Sequence, residues 1–169
     1  MDTLKAILSR RSIRKYSGME IPAEYYEIML KAAMHAPSAR NRQPWHFIVI
    51  SDKIVMNRLA ESNPSWRMLS QADKAVVICG DTDTEDAESS LIQDCSAATQ
   101  NFLLAAHELG LGAVWLGVHP REDRVHEIRK YLAIPDRITP VSMISIGYPD
   151  EVRETEDRFT ADRVHFDRW

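Results

Sequence analysis

The sequence holds only two cysteines, Cys79 and Cys95, and no C-x-x-C pair. That scarcity excludes a disulfide framework and a thiolate zinc site, and it leaves both thiols as small, partly buried side chains. There is no basic excess either, with a formal net charge of −4 and a pI near 5.9. Nucleic acid and anionic membrane require a broad basic field, so any anion site in this chain is local. The N-terminal stretch MDTLKAILSRRSIRKYS lacks a long apolar run, which argues against a secretory leader or membrane anchor and points to a reducing cytoplasm. Internal repeats and low-complexity segments are absent.

Metal motifs are missing too. The six histidines, His35, His46, His107, His119, His126 and His165, form no H-x-H or H-E-x-x-H pair and read as surface or loop residues. The stretch from Asp81 begins like a calcium loop with Asp83 and Glu85. It fails that pattern, because the sixth position is Asp86 rather than Gly and the twelfth is Ile92 rather than Glu.

What is present suits one domain, since 169 residues with 44% hydrophobic content fill a single sizeable core. Asp2 caps a short amphipathic helix over 2–10, and Pro22 starts a second that is apolar over a wide arc. WHFIVI, Trp45 to Ile50, predicts a strand, followed by a helix over Lys53 to Glu61 and a buried strand over Lys74 to Cys79. The longest helix spans about 87–109, with small and large apolar residues for close packing. Beyond it the pattern predicts a strand at Ala113 to Val118, a helix at Arg121 to Leu132 and a last strand at Val141 to Ile146. Helices interspersed with strands point to an α/β sandwich with helices covering a sheet. Residues 150–169 are highly charged, but Phe159, Val164, Phe166 and Trp169 are spaced as anchors, which predicts an arm wrapping a partner subunit.

Three segments carry candidate chemistry. Arg10, Arg11, Ser12, Arg14 and Lys15 crowd the end of the first helix as a phosphate-sized anion site or, equally, a solvated basic helix end. Ala36 to Trp45 forms a loop stiffened by Pro37 and Pro44, in which Asn41 and Gln43 suit the mixed donor and acceptor edge of a pyrimidine-like ring, with Ser38 beside them. Taken alone, those amides would more often satisfy their own backbone. Gly117, following Trp115 and Leu116, either admits a close approach to strand amides or marks a bulge, the more ordinary explanation.

Together, RRSIRKY, APSARNRQPWHFIVI, GAVWLGVHP, GYP at 147–149 and DRF stand in an order that resembles the nitroreductase family over nearly the whole chain. The resemblance implies an α+β fold, a three-layer sandwich with a central mixed sheet covered by helices. It also implies a homodimer with exchanged terminal segments and FMN at the subunit interface, as one domain over 1–169 with 150–169 as the arm. By match of motif, Arg10, Arg11, Ser12, Arg14 and Arg158 would contact the flavin phosphate and ribityl chain. Pro37, Ser38, Ala39, Asn41 and Gln43 would line the flavin from the other subunit, while Leu116 and Gly117 would present backbone amides near its reactive edge. Many relatives carry a lysine two residues before the arginine matched by Arg158; this chain has Glu156, which implies either a lower phosphate affinity or Arg163 as a substitute.

The resemblance further implies NADH or NADPH as electron donor and a nitroaromatic, quinone or similar electron-poor small molecule as acceptor, in a ping-pong hydride mechanism. No side chain is required as acid or base, because the flavin carries the redox chemistry. Three rival readings are a flavin-binding sensor or carrier without turnover, a flavin-dependent reductive dehalogenase or flavin-destroying enzyme, and a nucleic-acid module built on Arg10 to Lys15. The last requires a wider basic face than an acidic chain provides.

Overall fold

The computed structural model describes residues 2–85 and 88–169. Asp86 and Ala87, where the calcium-loop comparison and the expected start of the longest helix fall, lie outside the described residues.

Helix starts follow local side-chain chemistry. The Asp2 carboxylate accepts from the Leu4 amide at 2.9 Å and begins α1 (Thr3–Ser9), and Asp52 accepts from the Ile54 amide at 2.8 Å to begin α3 (Lys53–Ser62). Such caps contribute about 1 kcal/mol each by satisfying amides that the helix leaves open. Between them, α2 (Ala23–Met34) starts after Pro22, and α4 (Glu88–Glu108) and α5 (Glu122–Leu132) complete the set. A 3-10 turn over Pro64–Ser70, which the sequence reading left unassigned, buries Trp66 and Leu69 completely. Its start is local, since Asn63 caps the Ser65 amide at 2.9 Å and Pro64 opens the turn.

The strands are β1 (Trp45–Ile50), β2 (Lys74–Asp81), β3 (Gly112–Gly117) and β4 (Ile138–Gly147), in the order β1-β2-β4-β3. All three pairings are antiparallel, whereas a mixed sheet was expected; the parallel component is confined to an isolated bridge between Ser12 and Ala113 on the β3 edge. The reason lies in β4, which inserts between β2 and β3, so the two strands joined across α4 run the same way without being neighbours.

Helices cover both faces, and the pleat divides the core accordingly. In β2, Val76 and Ile78 pack with α2 and α4 through Met29, Leu91, Cys95 and Phe102. Ala75, Val77 and Cys79 face the other way, toward Met56, Leu59, Trp66 and Ile128 from α3, the 3-10 turn and α5. An apolar run such as KAVVIC is stable in an antiparallel sheet only because both of its faces are dry. Cys79 and Cys95 are wholly buried, more than the sequence reading allowed, and burial pushes each thiol up to about 12.

After Gly147 the chain has no regular element except a 3-10 turn at Ala161–Arg163. Phe159, Phe166 and Trp169 are 77%, 85% and 102% exposed there, and Leu4 and Leu8 of α1 are also largely exposed. Among the described residues, no helix is long and apolar enough to cross a membrane.

Candidate functional site

The basic segment is fastened along the β3 edge of the sheet. The Ile13 amide donates to the Ala113 carbonyl at 3.0 Å, and the Asp150 amide donates to the Lys15 carbonyl at 2.9 Å. Close approach requires glycine at two crossings: a Cβ on Gly112 would lie 2.6 Å from Ile13, and one on Gly147 would lie 2.8 Å from the Tyr16 ring. Glu151 accepts from the Arg14 amide at 2.6 Å and pairs with Arg153 at 2.8 Å. That amide bond, with help from Arg153, holds the Glu151 carboxyl below its usual range. Segment 12–16 is thereby pinned by backbone and carboxylate contacts that do not use the Arg14 guanidinium.

Arg11, Ser12, Arg14 and Arg158 line one recess of about 390 Å³. Glu156 and Arg153 share its wall, and Arg163 is not part of it. Arg11 also donates to the Glu154 carbonyl at 3.0 Å, which ties the start of the C-terminal segment to the cluster. Arg10 stands beside this recess rather than in its lining, and burial followed by the charges of Arg11 and Arg158 lowers its pKa. His107 lies close by, its Nε2 2.7 Å from the Ser9 hydroxyl; burial, then the charge of Arg10, lowers its pKa. It is half-buried on α4, not one of the surface or loop histidines expected from sequence.

Arg14 continues into a second recess of about 420 Å³, where it meets Trp66, Met68, Leu116, Gly117 and Arg124. Among the described residues, no acidic side chain lines this recess. Gly117 sits in regular register with Ser142, so the bulge considered from sequence is absent at this position; the register shift falls at Ile78/Cys79 instead. Trp66, Met68 and Arg124 were missed in the sequence. The Asn63-Pro64 start signal could have placed the turn that carries Trp66, but nothing local marks Arg124.

The third candidate segment lies elsewhere. Ser38, Ala39, Asn41 and Gln43 form a loop leading into β1, with φ near +50° at Arg40, Asn41 and Gln43. Non-glycine residues in this left-handed region cost energy and persist only where the surroundings hold them. Here the Gln43 amide donates to the Ser38 hydroxyl at 3.0 Å, the Gln43 side-chain amide donates to Asn41 Oδ1 at 2.9 Å, and Arg42 donates to the Thr84 carbonyl at 3.1 Å. Ala39 is held from beneath by the buried carboxylate of Asp94. Exposed Pro37, Asn41 and Gln43 remain on the outer side of the loop.

This loop stands at the β1 edge, while Leu116 and Gly117 stand at the β3 edge, with β2 and β4 between them. Three strand spacings amount to about 14 Å. One chain therefore brings Arg11, Ser12, Arg14, Arg158, Leu116 and Gly117 to one edge and leaves 37–43 at the other.

Residues 7–148 match the family model described as Nitroreductase family. The chain belongs to the nitroreductase family. It is 47% identical over 169 residues to a Methanothermobacter thermautotrophicus protein provisionally named an NADH dehydrogenase/NAD(P)H nitroreductase, covering 100% of this chain and 88% of that one. A similarly named crystal structure from Parabacteroides distasonis superposes with a TM-score of 0.95 at 41% identity, covering 99% of this chain and 98% of the other. A provisionally named nitroreductase of Desulfovibrio desulfuricans, crystallised in complex with FMN, superposes with a TM-score of 0.86 at 30% identity, covering 100% and 98%. The α+β, three-layer architecture is that of these nitroreductase relatives.

Proposed function

We propose that the protein is an FMN-dependent oxidoreductase working as a homodimer, which uses NADH or NADPH to reduce nitroaromatic, quinone or similar electron-poor acceptors. The observation that carries this reading is the separation of the two half-sites across the sheet. Arg11, Ser12, Arg14 and Arg158, with Arg10 behind them, offer guanidinium forks and a hydroxyl to a phosphate and ribityl chain. Leu116 and Gly117 adjoin that cluster through Arg14. Pro37, Ser38, Ala39, Asn41 and Gln43 supply the ring-edge contacts from the partner protomer, because their own chain holds them about 14 Å away.

When bound, FMN supplies two-electron chemistry, accepting hydride from the nicotinamide and passing it to the acceptor. The chain's residues bind and orient: the arginines neutralise phosphate, the strained loop presents fixed donors and acceptors, and the acid-free recess favours negative charge. With donor and acceptor taking turns at one flavin face, the kinetics would be ping-pong. The arm from residue 150 is assigned to the partner, since Phe159, Phe166 and Trp169 leave in one chain an apolar surface that a dimer would cover. A cytoplasmic location is part of the same reading.

An absorption spectrum of the purified protein, mass identification of any released chromophore and anaerobic addition of NADH or NADPH test it. An FMN spectrum that bleaches, followed by steady turnover with a quinone, is expected. FMN that stays oxidised with both nicotinamides would favour a sensor or carrier, and failure to bind added FMN would end the cofactor reading.

A further inference from the structure

Arg124 has no part in the cofactor contacts proposed above, yet its placement calls for a reason. It lies in the first turn of α5, where the helix dipole disfavours a cation. Its Nη1 donates to the Gly117 carbonyl at 2.6 Å, and its guanidinium carbon lies 5.9 Å from the centre of the Trp66 ring. The Nε of Arg124 is buried with no hydrogen-bond partner, and no carboxylate among the described residues lies within ion-pair distance of the guanidinium. Arg124 and Arg14 thus place two cations in the recess that also holds Leu116 and Gly117, and among the described residues no acid lines that recess. In a chain of net charge −4, such a recess is arranged for negative charge.

We propose that Arg124 is a positioning residue that sets the reduction potential of the bound flavin. It fixes the Gly117 carbonyl, and with it the strand end that faces the ring, and it keeps a positive charge behind that edge. The inference rests on the FMN reading of the preceding section. Hydride from the nicotinamide delivers two electrons and one proton, leaving an oxidised nicotinamide and a reduced ring with one added negative charge. An uncompensated guanidinium favours the reduced ring over the neutral oxidised ring, so it strengthens binding of one redox state relative to the other. The ratio of those two affinities appears as a shift in potential.

The test is anaerobic equilibration of the full-length, FMN-loaded protein with a redox dye, comparing wild type with Arg124→Lys, Arg124→Met and Arg124→Gln. The methionine and glutamine variants are expected to lose about tenfold in affinity for reduced relative to oxidised FMN, a downward shift of about 30 mV for a two-electron couple. Lysine retains the charge and should keep most of the ratio. A purely structural role would change melting temperature and total FMN affinity while leaving the ratio untouched. Glutamine retains a donor for Gly117 and serves if methionine unfolds the strand end. A wild-type ratio in either neutral variant with bound FMN overturns the proposal, as does a lysine variant shifted as far as methionine. Wild-type protein that binds no FMN would instead remove the cofactor reading itself.

Discussion

The Ala39 amide donates to both carboxylate oxygens of Asp94, at 3.1 Å each, from a carboxylate that is only 6% exposed. Asp94 belongs to the longest helix and Ala39 to the strained loop before β1, so this contact fixes loop geometry from the core outward. Hydrogen bonds to charged groups contribute about 1.5–3 kcal/mol. Asp94→Ala is expected to lower the melting temperature and weaken FMN binding, with Asp94→Asn milder because it retains one acceptor. Thermal melts and flavin titrations of both variants measure this, and unaltered FMN affinity in Asp94→Ala would separate loop geometry from cofactor binding.

The phosphate assignment predicts a graded response among the arginines. Arg11→Ala with Arg158→Ala removes two guanidiniums from the lining of one recess and should weaken FMN tenfold or more, on the order of 1.5–3 kcal/mol. Arg10→Ala should cost less, since Arg10 stands beside that recess. Flavin fluorescence titration ranks them, and the reverse order would move the phosphate toward Arg10.

A pH dependence follows from His107. Burial first and the charge of Arg10 next favour its neutral form, against an opposite effect from Glu108 that is smaller than that of Arg10 and larger than the further lowering by Arg11. With the folded value below the unfolded one, near 6.5, this group's stability contribution is present above about pH 6.5. It is lost as pH falls through the lower folded value. Melting temperature should therefore decline on acidification below about pH 6.5, less steeply in His107→Gln. Phosphate bound near Arg10 and Arg11 should reduce the decline in wild type. Identical profiles for wild type and His107→Gln would assign the acid sensitivity to other groups.

Removing residues 157–169 tests the arm. The proposed wrapping predicts a looser dimer and partial loss of FMN, because Arg158, Phe159, Phe166 and Trp169 leave together. Light scattering at several concentrations reads the first effect and the flavin spectrum the second. A truncated protein that remains a stable, fully loaded dimer would restrict the arm to a passive tail.

Much of this architecture is legible in short stretches of sequence. Asp2 and Asp52 mark helix starts because capping is decided by a side chain and an amide two residues away. WHFIVI and KAVVIC read as strands because β-branched and aromatic residues suit a pleated, covered surface. RRSIRKY offers a candidate anion site in a chain with no general basic excess, although composition alone equally describes a solvated basic helix end. The turn that buries Trp66 was missed because its apolar residues are too few to show a period, although its Asn63-Pro64 start is local.

Other features were decided only by tertiary structure. Antiparallel pairing throughout the four strands follows from β4 inserting between β2 and β3, a long-range choice that no strand encodes by itself. Arg124 reaches Gly117, and Asp94 reaches Ala39, across separations at which sequence spacing carries no geometric information. The separation of the loop at 37–43 from Leu116 and Gly117 belongs to the same class. The sequence determined which residues are able to make the proposed cofactor contacts, because charge, hydrogen-bonding capacity and glycine's lack of a side chain are properties of single residues. Tertiary structure decided which of them one protomer brings together, because strand order and helix packing set distances that no local segment contains.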